Sequence, residues 1–494
     1  MRFFMPNLIA ALAVSFFTMA LVWIYLKPAR LPLLTYFIAY TATTVVGAAA
    51  LLDDTGLREF KLHQTMFRPE DYPLIGSPTY WILLLAPFAV VPVGAALGLR
   101  GADVKLVDRL AAFVAKEERS IVPLVYSIAC ACSVYCLWKL LSTGAYFPAL
   151  FFDRTVFCDA RIVRRAELFS ELRYLYYAFA YAVIPIGATV ALLSWTSTGR
   201  RFHGAMFAAL LVAVVYFNVV LYMKASLVVV FLTLLLACIV ARASFRLHIV
   251  MALLVVICLL LLQGLLGCYR NTFSEVSNSR VPVLSEWVSL QADHVAADTV
   301  RASALVLVAE SKLVRPEGLA RVADAAIIFV RSVVFRMAAS LPYYVQVFHN
   351  PAERCGIESN SIPLLPRETC YPATKVGTHV NPGIMQAYQA APAHINAYAE
   401  LGLGYTFVVL ILGGLILGFS WGVAQKAQSP LFWSAGAGVC VFGYYLTQAG
   451  FVGALTHSYG LVWYLFPIIA AAMIHWLARI VMSRLLPRSN IRVK

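Results

Sequence analysis

The sequence predicts an all-α integral membrane protein with about 10–12 transmembrane helices. Three observations predict it. Hydrophobic residues make up 61% of the 494 residues and charged ones 13%, against ~45–50% and ~25% in soluble domains. The mean hydropathy is +0.79. Apolar runs of roughly 20 residues, the length a bilayer requires, recur along most of the chain. Together these exclude a water-soluble globular enzyme. The formal charge of +15 would suggest nucleic acid in a soluble protein, but in a membrane protein basic residues collect on cytoplasmic loops, so no nucleic-acid partner is expected.

The runs follow in order. Asn7–Leu26 lacks a small-residue cleavage site and leads straight into Leu31–Leu52, so it reads as a retained helix and not a signal peptide. Thr79–Leu99 stops at Arg100, and Ile121–Ser142 starts after Arg119. Tyr174–Trp195 lies between Arg173 and Arg200. Met206–Met223 and the shorter Ser226–Val240 are interrupted by Lys224, and Ile249–Leu266 follows the basic stretch Arg242–Arg246. Gly402–Trp421, Leu431–Phe451 and Leu461–Val481 complete the set.

Orientation is expected from the short basic loops. With Arg484, Arg488, Arg492 and Lys494 in the cytoplasm, alternation puts Lys27–Arg30, Arg100–Arg119, Arg200–Arg201, Arg242–Arg246 and Lys426 on that side too, and the N-terminus outside. Three regions result: an N-terminal transmembrane bundle over residues 1–266, an extracytoplasmic region over 267–401, and C-terminal transmembrane helices with a basic tail over 402–494. A structureless loop as long as the middle region is improbable. Val300–Val308 and Ala325–Val347 carry apolar residues at helical spacing broken by Arg301, Arg331 and Arg336, the pattern of amphipathic helices on or re-entering the membrane. Asn350–Asn396, rich in Pro, Gly, Asn, His and Tyr, reads as an ordered loop domain.

Of the cysteines, Cys130, Cys132, Cys136, Cys238, Cys258 and Cys440 fall in spans, as small apolar residues. Cys355 and Cys370 lie in the outer region, where an oxidising compartment would let a disulfide close their loop; the alternative is two free thiols. No His/Cys cluster has zinc-ligand spacing, and neither metal nor cofactor is expected.

Arginines crowd the outer segments: Arg154, Arg161, Arg164, Arg165 and Arg173 in one, and Arg270, Arg280, Arg301, Arg315, Arg321, Arg331, Arg336, Arg354 and Arg367 in the other. A guanidinium fork matches phosphate, so the set suits an anionic lipid headgroup or glycan, although any single arginine could simply be solvated and paired with an acid. Lys224, at a tight outer turn, either snorkels to the interface or faces a cavity and binds an anion. The most informative stretch runs from Thr378-His379-Val380-Asn381 through His394-Ile395-Asn396-Ala397-Tyr398-Ala399-Glu400 to Gly402 and Gly404. It brings imidazole, amide, phenol and carboxylate groups to the outer mouth of a Gly-rich span. His394 and Tyr398 share a helix face and Glu400 looks elsewhere. Either His394 or Glu400 could take a proton from a sugar hydroxyl there, while Gly413, Gly414 and Gly418 suit close helix packing.

A short outer cationic turn between mid-chain spans, a long arginine-bearing outer region late in the chain, and His394-Ile-Asn396-Ala-Tyr398-Ala-Glu400-Leu-Gly402-Leu-Gly404 running into a Gly-rich helix resemble the Wzy-type O-antigen and exopolysaccharide polymerases. The resemblance covers roughly Met206 to Trp421. It implies a GT-C-like helical fold in the bacterial inner membrane, with the active site facing the periplasm. It also implies an undecaprenyl-diphosphate-linked oligosaccharide as substrate, metal-independent chemistry, and a chain-length regulator and flippase as partners beside membrane lipids. By position it makes Arg161 or Arg164, Lys224, Arg270, Arg280, Arg336 and Arg367 the substrate-binding cations, with His379, Asn396 and Tyr398 near them. The expected reaction moves a growing glycan from undecaprenyl diphosphate to a sugar hydroxyl of a second lipid-linked unit, with arginines stabilising the leaving diphosphate. Three alternatives stand beside it. One is a GT-C transferase fed by a polyprenyl-monophosphate sugar, with Asp53-Asp54 as its acids. The second is a lipid-linked-oligosaccharide flippase, disfavoured by the long loop and the lack of repeated halves. The third is an O-antigen ligase, whose His, Asn and paired glycines are spaced differently.

Overall fold

The computed structural model describes residues 5–53, 60–62, 65–67, 72–144, 168, 171–220, 224–244, 247–250, 253, 337–357, 370–380 and 390–485. The chain is an α-helical, multi-pass membrane protein: among the described residues eight helices are long and apolar enough to cross a bilayer. They are α1 (Pro6–Tyr25), α2 (Lys27–Ala50), α3 (Pro78–Ala102), α5 (Glu118–Ser142), α6 (Glu171–Thr198), α7 (Arg201–Val220), α12 (Leu403–Ala424) and the stretch Phe451–Met482. That last stretch holds a short α14 (Phe451–Thr456) and the long α15 (Leu461–Leu485). Two shorter apolar helices, α8 (Lys224–Val240) and α13 (Pro430–Tyr445), fill the run expected to be short and the run at Leu431–Phe451. α13 is buried on nearly every side, which explains why it is apolar all round without being long. The expected span at Ile249–Leu266 falls almost wholly outside the described residues.

Two elements were absent from the sequence reading, and a third, a cap of short helices, answers to the helices it expects in the outer region. β1 (Phe60–Leu62) and β2 (Thr65–Phe67) form an antiparallel hairpin with Phe60 opposite Phe67. The stretch read as the basic loop Arg100–Arg119 contains a helix, α4 (Lys105–Lys116). A cap of short helices, α9 (Ser340–Phe348), α10 (Pro372–Val380) and α11 (Ala393–Leu401), packs with α14 over the head of α3 and α12.

Side-chain contacts fix which helix ends lie together. Asp53, at the end of α2, accepts from Asn7 N and Leu8 N, both at 3.0 Å, so a carboxylate from far along the chain caps the exposed amides that open α1. At the opposite, basic end, Trp421 Nε1 donates to Pro28 O. Lys426 there bridges Asp103 and Asp108 at 2.8 and 3.0 Å, and Glu117 bridges His475 at 3.2 Å and Arg479.

The tightest seam is between α3 and α12, which run parallel. Gly94 and Gly98 face Gly414 and Gly418, one helical turn apart on each side. A Cβ on Gly94 would lie 3.1 Å from Gly414 Cα, and one on Gly418 2.8 Å from the Ala95 carbonyl carbon, so these backbones touch where any side chain would hold them apart.

Candidate functional site

The site is built on α11, and the sequence reading of that helix needs revising in one respect. The sequence places it at the outer mouth of a Gly-rich span, within reach of substrate. Instead all of Ala393–Glu400 is buried, because α9 and α10 cover it from one side and α3, α12 and α14 from the other.

His394 shows what that burial does. Pro87 sits inside α3 and has no N–H, which orphans the carbonyl four residues earlier, that of Leu83. His394 Nε2 lies 2.9 Å from Leu83 O and donates to it, which leaves the lone pair on Nδ1. The Tyr40 hydroxyl, 3.2 Å from the same Nε2, donates to the carbonyls of Leu83 and Leu84 at 3.2 and 3.1 Å. At 1% exposure the imidazole is shut away from solvent. Burial pushes its pKa down to about 3, so the ring is neutral at physiological pH. Its observed contacts repair a proline break and pin α11 to α3.

Asn396 is similarly engaged. Its Oδ1 accepts from the Tyr344 hydroxyl of α9 at 3.1 Å, and its Nδ2 donates to Ala391 O at 2.7 Å.

The C-terminal end of α11 is arranged differently. Its last carbonyls need partners, and the chain around the Cys355–Cys370 disulfide supplies them: Cys355 N donates to Ala399 O at 3.0 Å and Gly356 N to Glu400 O at 3.1 Å. The neighbouring Arg354 is thereby carried onto the negative end of the helix dipole. Its guanidinium lies 5.8 Å from the centre of the Tyr398 ring and hydrogen-bonds that side chain. It also fills the space beside Gly402, where a Cβ would come within 2.7 Å of its Cζ. Gly402 has φ of 89°, so glycine serves there both the turn and the contact. Arg354 is half-buried, and its Nε–H has no hydrogen-bond partner among the described residues. A buried donor of that kind calls for an acceptor. Glu400, 6% exposed, stands one turn from Asn396 at this same end of the helix.

No family model, curated protein or solved structure matches this chain.

The remaining candidates divide into two groups. His379 is exposed at the end of α10, in the cap, and Lys224 is the first residue of α8. Arg161, Arg164, Arg270, Arg280, Arg336 and Arg367 lie outside the described residues. Arg354, singled out by the geometry, was one of many outer arginines in the sequence; the signal that could have marked it is its place beside Cys355. Asp53, the acid that a monophosphate-sugar transferase would require, directs both carboxylate oxygens at the start of α1. Near Arg354, Lys375 of α10 bridges Glu353 at 2.6 Å and holds that carboxyl below its usual range. Among the described residues no group of three or more His, Cys, Asp or Glu side chains converges.

Proposed function

We propose that this protein polymerises lipid-linked oligosaccharide repeat units at the periplasmic face of a bacterial inner membrane. The observation that carries the reading is Arg354: a half-buried guanidinium, held by a helix end, a tyrosine ring and a disulfide at the boundary of the spanning helices, with an Nε–H that has no partner among the described residues. A diphosphate headgroup is the anion whose lipid tail would bring it to that depth, and a guanidinium fork fits its oxygens. The outer arginines Arg270, Arg280, Arg336 and Arg367 supply further cations in sequence.

In the proposed reaction the bond between the anomeric carbon of the growing glycan and the diphosphate oxygen breaks. A bond from that carbon to a hydroxyl oxygen of the acceptor repeat unit forms. The leaving diphosphate gathers charge, which Arg354 stabilises, and the hydroxyl proton passes to a base. We assign that role to Glu400, at the Arg354 end of α11, and give His394 a positioning role through Leu83.

The test is purified protein incubated with a lipid-linked repeat unit. Longer lipid-linked glycans are expected, with Arg354→Ala slowing their formation ~10²–10³-fold. Consumption of a polyprenyl-monophosphate sugar, or movement of the lipid across the bilayer with no new glycosidic bond, would overturn the reading.

A further inference from the structure

The basic end of the bundle carries a feature that polymerisation does not use. α4 joins α3 to α5 through one or two residues at each end, so it is tethered at the depth where two spanning helices leave the membrane. Its inner face, at Ala111 and Val114, packs on the core. Its outer face is apolar and uncovered: Leu106 and Leu110, one turn apart, are 63% and 57% exposed, and Val104 beside them is 51% exposed.

Next to that stripe runs a second one. Lys105, Arg109 and Lys116 recur at spacings of four and seven residues, which places them on one face, and all three are exposed, as are Arg100 and Arg119 at the two junctions. Three acids of the same segment are engaged elsewhere: Asp103 and Asp108 bridge Lys426, and Glu117 bridges His475 and Arg479. Among the described residues the five cations have no ion-pair partner, so a patch of net positive charge borders an exposed apolar stripe.

We propose that α4 is an in-plane anchor that binds anionic phospholipid. Leu106 and Leu110 enter the acyl boundary, and Lys105, Arg109 and Lys116 snorkel to the phosphates of the headgroups. Charge complementarity and the attachment to two spanning helices select a lipid leaflet over a protein partner.

Hydrogen exchange of the full-length protein reconstituted in vesicles tests this. Each cation near an anionic surface contributes about fivefold, so the amides of α4 should be protected roughly 100-fold more strongly when about one-third of the phosphatidylcholine is replaced by phosphatidylglycerol. The variant K105Q/R109Q/K116Q should lose that difference while α12 exchanges as in the wild type. L106Q/L110Q should lower protection of α4 in both lipids. Equal protection of wild-type α4 in the two lipids, or a triple variant that still distinguishes them, would overturn the proposal.

Discussion

Replacing Gly418 by alanine should loosen the α3/α12 seam, and Gly404 provides a matched control on the same helix. The added methyl carbon at 418 would sit 2.8 Å from the Ala95 carbonyl carbon and closer still to its oxygen. Both are backbone atoms, so no side chain can swing aside and the helices must part. Such overpacking costs about 1–3 kcal/mol, offset by ~0.5–1 kcal/mol from replacing glycine inside a helix. At Gly404 the same methyl meets nothing within 4 Å, so only the favourable contribution remains. The two variants should therefore differ by roughly 1–3 kcal/mol in unfolding free energy, read from denaturant titrations in mixed micelles followed by tryptophan fluorescence. Gly98→Ala should behave like Gly418→Ala, since its methyl would lie 2.7 Å from Phe419 N. The double variant should cost less than the sum of the singles, because one separation of the helices relieves both clashes. Equal stability of the 404 and 418 variants, or strict additivity of 98 and 418, would refute the reasoning.

Three further outcomes are expected. His394 has a folded pKa below its unfolded value, so its contribution is complete above about pH 6.5 and is lost as pH falls toward 3; unfolding at pH 5 should show about 2 kcal/mol of that loss in wild type and none of it in His394→Gln. Replacing Cys355 and Cys370 by serine opens a loop of 15 residues and should cost about 3 kcal/mol in the chain-entropy estimate, visible as earlier proteolysis of the cap. Asp53→Ala removes the cap of α1 and should cost about 0.5–2 kcal/mol, while Asp53→Asn, which keeps one acceptor oxygen, should cost less; thermal unfolding in detergent ranks them.

The spans were legible because a bilayer imposes a length: runs such as Pro78–Ala102 and Leu403–Ala424 need no tertiary information to be recognised. The glycines of the second run also announced close packing, although which helix would receive them did not follow from the sequence. α4 was readable in principle, from Leu106 and Leu110 at helical spacing, but its cations led to the stretch being taken only as an orientation signal. The hairpin at 60–67 carries none of the glycine or asparagine turn chemistry that marks such elements. Burial of α11 was beyond local reasoning. The helices that cover it come from Ser340–Phe348 and Pro372–Val380, and a polar sequence such as His394-Ile-Asn396-Ala-Tyr398-Ala-Glu400 looks wet until those partners are in place.

The same helix shows how polar residues in one short segment come to different uses. Pro87 breaks the hydrogen-bond ladder of α3 at Leu83, and a donor had to be found for that carbonyl in a region without water; His394 supplies it. Asn396 ties α11 to α9 and to the carbonyl before its own first turn. By the time the chain reaches Glu400 the repairs are made, and the carbonyls at that end are met by Cys355 and Gly356 instead of by side chains. What that end leaves over is the Arg354 Nε–H, which has no hydrogen-bond partner among the described residues. That is why, of the polar groups the sequence placed together, the proposed chemistry is sought at the Arg354 end of α11 and not at the His394 end: the His394 imidazole is 1% exposed and its pKa is pushed down to about 3, so it is shut away from an acceptor hydroxyl and is a weak base.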